Sequence, residues 1–353
     1  MVVGKGVGAL MNIMPPLSRA ERWPAYRHAV PYLSIEDAFI RGNPRIEILS
    51  GGGVPTPIPD SWRPVLRDSD VLVAVPDMHM FLYQSELDNF KFGAESMLDF
   101  LTHAESCRRM LAGAGARMSM YQLGDMYELW FPHPSLRKKL TVRDIRASHP
   151  IYDEIIRRFC ELEFRHIIGN HDAEHRQPRR GLYAASDGTV YLEHGYTADY
   201  WFCFSNPNHR HWRTSMKVLR AFRRTEARLH RMKKRGECWD GLRHSAIGIS
   251  SGDRERADMP HPTDYPRRQL SHFERLVRGS AIPPRVCLIA HTHYPYLDPG
   301  FADGECIFAD AGAWTEGRSD FVVITNSEIA VCRYRRSARA ARSNEIPAFR
   351  TAG

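Results

Sequence analysis

Five short groups of residues in this 353-residue chain have the side chains and spacing for chemistry. They are Asp77-Met78-His79, Gly124-Asp125, Gly169-Asn170-His171-Asp172, Glu193-His194-Gly195 and His291-Thr292-His293. Mixed imidazole and carboxylate donors suit Mn, Fe, Zn or Ni better than Ca, and the lack of thiolate among them argues against a structural zinc site. In Asp77-x-His79 and His291-x-His293 a single residue separates two donors. Along extended backbone, positions i and i+2 point the same way, so each pair can face one cation cluster. A lone His after a strand is more often a capping or hydrogen-bonded loop residue than a ligand. Five such groups, all at strand ends, favour metal binding.

The elements that must position these groups are visible in the apolar pattern. Val71-Leu72-Val73-Ala74-Val75 is a continuous apolar run, as expected of a strand buried on both faces. Further strands are predicted over Met118 to Leu123, up to Ile167-Ile168, over Thr189 to Glu193 and over Val286 to Ala290. Each of the five groups follows one of these strands at its C-terminal end, the edge where ligand crevices form in α/β sheets. A helix is predicted over 91–113, with Phe92, Met97, Leu98, Leu101 and Met110 as apolar positions and Gly113 near its end. A second helix is predicted over 151–163. Ile307 to Ala309, Phe321 to Thr325 and Ile329 to Tyr334 close the series as strands. Strands alternating with helices, then consecutive strands, predict a layered α/β sandwich with mixed sheets.

Composition narrows the class. Hydrophobic residues are 43% and charged residues 25% of the chain, which excludes global disorder. The formal net charge of +8 favours anionic partners. Seven scattered cysteines with no C-x-x-C pair exclude a disulfide scaffold and a zinc finger. Cys287 and Cys306 lie in apolar runs and read as small core residues. No stretch approaches the ~18–20 apolar residues of a membrane span, and Met1 to Met14 lack a small-residue cleavage site, so a cytoplasmic address is expected. Residues 1–69, rich in Pro and Gly, read as a loosely structured N-terminal extension with at most short elements. The main domain is placed at 70–335, with an insertion at about 200–275 and a basic, fraying tail at 336–353. Within the insertion, Trp212, Met216, Leu219 and Phe222 form one helical face, and Arg213, Lys217, Arg220, Arg224, Arg228 and Arg231 form a basic stripe on another. That helix is either a solvated element packed by its apolar stripe or a cap that draws in anionic substrate or rests on anionic membrane.

The ordered set D-x-H, G-D-x-x-E, G-N-H-D, H-G, H-T-H resembles the calcineurin-like metallophosphoesterase superfamily. The blocks span residues 77–293 in the family order. The resemblance implies a four-layer αββα sandwich of two mixed sheets flanked by helices, with a helical insertion. It implies two divalent transition metal ions (Mn, Fe or Zn, with Mn preferred). Asp77, His79 and His293 would hold the first, Asn170, His194 and His291 the second, and Asp125 both. His171 would sit beside the leaving group, either protonating it or stabilising the phosphoryl oxygens, and Asp172 would orient His171 through its other ring nitrogen. The implied function is hydrolysis of a phosphomonoester, phosphodiester or nucleotide-sugar pyrophosphate, with a metal-bridging hydroxide as nucleophile. Glu128 can hydrogen-bond a ligand His or cap a helix, and its place three residues after Asp125 favours the first. Asp310-Ala311-Gly312-Ala313-Trp314 is similar to the family's N-T-G-S-W-type strand, with its Asp and Ala residues as departures, so Trp314 is given no catalytic role.

Gly124-Asp125-Met126-Tyr127-Glu128-Leu129-Trp130 lacks the D-R-G continuation of protein Ser/Thr phosphatases. It is closer to the G-D-x-F-E-x-W segment of UDP-2,3-diacylglucosamine pyrophosphatases. Those enzymes usually have G-N-R-D where this chain has His171, and H-G-D where it has His194-Gly195-Tyr196. The expected partner is an anionic phosphoester, with peripheral contact to anionic membrane through the basic helix as a further option. Nucleic acid is the weaker candidate, since no aromatic-interleaved RNA-binding motif is present. The rival class is a non-catalytic binding module that keeps the fold and binds an anionic partner.

Overall fold

The computed structural model describes residues 33–85, 88–129, 140–172, 181–182, 184–198, 267–315 and 317–335. The basic helix expected within the insertion, with Trp212 to Arg231, and the tail at 336–353 lie outside the described residues. The apolar runs become strands β1 (Ile46–Ile48), β2 (Thr56–Pro57), β3 (Val71–Val75), β4 (Met118–Gln122), β5 (Arg165–Ile167), β6 (Gly181–Leu182), β7 (Ala184–Asp187), β8 (Val190–Glu193), β9 (Val286–Ile289), β10 (Pro295–Asp298), β11 (Ile307–Ala311), β12 (Asp320–Thr325) and β13 (Glu328–Tyr334). The main helices are α1 (Ala94–Gly113), α2 (Val142–Ser148), α3 (Pro150–Glu161) and α4 (Arg267–Gly279).

Two mixed sheets result. The first runs β1-β13-β12-β3-β4-β5-β6, with β2 added on β13. In it β3 to β6 are parallel, and β12, β13 and β1 join antiparallel. The second runs β10-β11-β9-β8-β7, with a parallel centre and antiparallel edges. β3 shows why they stack. Val71, Val73 and Val75 enter a core with Met97, Phe100 and Leu101 of α1, while Leu72 and Ala74 face Leu192, Leu288 and Ala309 of the second sheet. On the far side, Phe273 and Val277 of α4 pack on Cys287, Ile289, Cys306 and Phe308. The layers are therefore helix, sheet, sheet, helix, the four-layer α/β sandwich expected. Each such fully buried large side chain contributes roughly 1.5–3 kcal/mol.

Two expectations change. Phe92 and Met110 are 47% and 52% exposed, so they do not belong to the buried stripe of α1. The stripe is Met97, Phe100, Leu101, Ala104, Cys107 and Leu111, whose three- and four-residue spacing keeps it on one face. Residues 33–69 do hold only short elements, yet these are part of the packed structure rather than an appendage. β1 pairs with β13, Ile35 and Phe39 are buried in the first core, and Ile58, Val65 and Leu66 are buried between the sheets.

Candidate metal centre

β3, β4 and β5 of one sheet and β8 and β9 of the other end at the same edge of the sandwich, and the five groups meet there. His293 Nε2 lies 3.1 Å from Asp77 Oδ2 and 3.2 Å from His79 Nε2. Asp125 Oδ2 lies 3.1 Å from His194 Nε2 and 3.8 Å from His79 Nε2. His194 Nε2 also approaches Asn170 Oδ1 at 3.1 Å and His291 Nδ1 at 3.3 Å. All seven sequence-predicted ligands are thus within one buried cluster. Three groups have ligand atoms within 4.8 Å of one another: Asp77 with His79 and His293; His79 with Asp125 and His171; Asp125 with His194 and His291. Such a cluster can hold a metal ion. Imidazole nitrogens and carboxylate oxygens converging without thiolate match a transition cation. Asn170 turns Oδ1 into the cluster and leaves its buried Nδ2 without a hydrogen-bond partner, the orientation a cation on Oδ1 would select.

The supporting contacts fix these donors. His194 Nδ1 donates to the Leu123 carbonyl at 2.7 Å, which aims Nε2 at Asp125. Asp77 Oδ1 accepts the His291 amide at 3.1 Å, and Asp125 Oδ1 accepts the His171 amide at 2.7 Å. Glu128, read from its spacing as a partner of a ligand His, touches two imidazoles through one oxygen. Its Oε2 is 2.7 Å from His171 Nδ1 and 3.2 Å from His79 Nδ1.

Asp172 does not orient His171. Its carboxylate accepts the Met126 and Tyr127 amides at 3.1 and 2.9 Å, and lies 3.2 Å from His166 Nε2. Adjacency in sequence misleads here because the turn at 170–172 sends the two side chains apart. Asp172 instead ties its own loop to the loop carrying Asp125 and Glu128. Trp314 packs its ring on Phe100 and Phe321.

The backbone is not extended at the ligands. His79, Asp125, His291 and His293 have φ of 49°, 50°, 75° and 62°. Among the described residues only seven non-glycine positions have positive φ, so strain is concentrated at this cluster. The Asp77/His79 and His291/His293 pairs reach the cluster through left-handed turns, not by the i, i+2 alternation of a strand. His291 and His293 consequently serve different groups.

The electrostatics follow from crowding. Burial alone would raise the Asp77 carboxyl, but the imidazoles of His194, His293 and His79 outweigh it and hold the group well below the ordinary carboxylate range. Asp125 and Glu128 are likewise pushed up by burial and brought down further by His194 and His171, and by His171 and His79. Burial works against charge on His194, yet Asp125 and Asp77 raise it to about 9. His79 is raised well above its ordinary value against burial by Asp77 and Glu128. The cluster is a set of ionised carboxylates that demands positive charge among them.

Fold and site together define an α/β sandwich protein with a buried His/Asp cluster able to bind metal. No family model matches the chain, and no curated protein matches it. Among the described residues no helix is long and apolar enough to cross a membrane.

Proposed function

We propose that the chain is a dinuclear metal-dependent phosphoester hydrolase of the calcineurin-like metallophosphoesterase type. The observation that carries this reading is the overlap of the ligand groups. Asp125 and His79 each belong to two of the three groups, so the donors suit two neighbouring cations better than one. Two divalent ions held there, Mn preferred, would supply Lewis acidity to a phosphoryl group and to an attacking water.

The remaining roles belong to side chains. Asp77, His79 and His293 form one donor set and Asn170, His194 and His291 the other, with Asp125 between them. His171 has its Nε2 3.9 Å from Asp125 Oδ2, at the rim of the cluster, and its Nδ1 against Glu128. In that pose a protonated His171 donates from Nε2 to a departing alkoxide, with Glu128 holding the ring. An anionic phosphoester is the matching substrate class, and the net +8 of the chain assists its approach.

The test uses the full chain. Metal analysis should find close to two transition ions per chain. With Mn²⁺, a chromogenic bis-aryl phosphate, a mono-aryl phosphate and a UDP-sugar pyrophosphate should include at least one substrate. Metal-loaded protein inert toward all three refutes hydrolysis and leaves the binding module.

A further inference from the structure

Beside the ligands lies a buried polar pair with no counterpart in the hydrolytic scheme. Thr292, between His291 and His293, donates its hydroxyl to Asp310 Oδ2 at 2.6 Å and accepts the Tyr294 amide at 3.1 Å. Asp310, on β11, accepts the Gly312 amide on its other oxygen at 2.9 Å. Thr292 is 7% exposed and Asp310 is fully buried. β11 is paired with β9 on one side and β10 on the other, so Asp310 is anchored between the two strands that flank the H-T-H turn.

That turn is costly. His291 and His293 both occupy left-handed backbone, at φ of 75° and 62°. Residues other than glycine avoid this region and stay there only when their surroundings over-determine it. Thr292 is the residue between them, and its hydroxyl makes two hydrogen bonds at once, one to the rigid sheet and one to the chain just beyond His293. A short hydrogen bond to a buried carboxylate is stronger than one to a neutral group.

We propose that Thr292 and Asp310 form a clamp that locks the His291-Thr292-His293 turn, and thereby sets the separation of the two donor sets. Thr292 and Asp310 are positioning residues, acting through the two histidines. The inference rests on the metal-centre reading above, and extends it to residues outside the ligand set. Serine keeps the hydroxyl, whereas valine keeps the shape and removes it.

The experiment is calorimetric titration of Mn²⁺ into chelator-stripped full-length protein, alongside thermal melts of the metal-free forms. Wild type should bind. Thr292→Val should bind about 10- to 100-fold more weakly, the range for residues that orient ligands, while the metal-free protein still melts cooperatively within a few degrees of wild type. Thr292→Ser should stay within a few-fold of wild type. Thr292→Val with wild-type affinity overturns the clamp alone, as does Thr292→Ser failing as badly as valine. Wild type that takes up no metal overturns the metal-centre reading itself, and the clamp with it.

Discussion

Gly169→Ala should dismantle the centre by moving one ligand. A β-carbon placed on Gly169 falls 2.0 Å from Asp125 Oδ1, 2.3 Å from the Asp125 amide nitrogen and 2.7 Å from Asp125 Cγ. Ordinary carbon contacts begin near 3.4 Å, so the carboxylate oxygen must retreat by about 1.4 Å and the amide by about 1.1 Å. Rotating the Asp125 side chain relieves the first clash and leaves the second, because the amide belongs to the backbone. A metal site tolerates displacements of about 0.2 Å in its ligand distances. Asp125 is a donor shared by two groups, and its Oδ1 also holds the His171 amide. Mn²⁺ affinity should therefore fall by more than about 100-fold, beyond the loss typical of an orienting residue. Overpacking should lower stability by roughly 1–3 kcal/mol. The assay is calorimetric titration with Mn²⁺, with circular dichroism to confirm folding. Gly113→Ala is the control, since nothing lies within 4 Å of its added carbon. A Gly169→Ala protein that binds Mn²⁺ like wild type would refute the placement of Asp125 against the Gly169 backbone.

Three other outcomes are expected. His171→Ala should retain metal and lose about 10²- to 10⁴-fold in turnover of an alkyl phosphoester, with less loss for a good aryl leaving group; equal losses for both would remove His171 from the leaving-group role. Glu128→Gln should lower turnover roughly 10- to 100-fold and weaken metal binding as well, because one oxygen supports both His171 and His79; an effect on neither would show that the shared contact is dispensable. Asp88 gives a pH prediction away from the ligands. Burial pushes its carboxyl up to about 6 from an ordinary 3.8, partly opposed by the Tyr152 hydroxyl and Lys91. The folded state thus favours the protonated form, so this contribution is complete below about pH 4 and is lost as pH rises through about 6, by ~3 kcal/mol. Relative to Asp88→Asn, wild type should lose stability to urea between pH 4 and pH 7, and parallel curves for the two proteins would contradict the burial.

What the sequence made legible, and what it hid, divides on a physical line. The ligands stand out because each group follows a strand, and the strands buried along their whole length, β3 and β9, advertise themselves as unbroken apolar runs like Val71 to Val75. The paired direction of β3, β4 and β5 then delivers their loops to one edge. β1, β2, β6, β7 and β10 lie outside the expected strands, since segments of two to four residues carry no readable alternation. Asp172 was assigned to its chain neighbour because spacing does not encode where a turn sends successive side chains. Glu128 is legible because it lies only three residues beyond Asp125, on the same loop. The Thr292–Asp310 contact joins residues 18 apart through a strand pairing that no local pattern announces.

The left-handed ligands explain why spacing alone misjudged their route. Extended backbone would place the donors of Asp77-x-His79 or His291-x-His293 side by side, facing one cation. Positive φ at His79, Asp125, His291 and His293 breaks that alternation. It lets one short turn send His291 toward Asp125 and His194, and His293 toward Asp77 and His79. A strained turn is what allows neighbouring histidines to serve two donor sets. The metal-free chain must then hold this arrangement by contacts that do not involve metal: the Leu123 carbonyl on His194, the Asp77 carboxylate on the His291 amide, and the Thr292 hydroxyl on Asp310. Preorganisation of this kind lowers the cost of binding, because the ligands need not be reordered when the cation arrives.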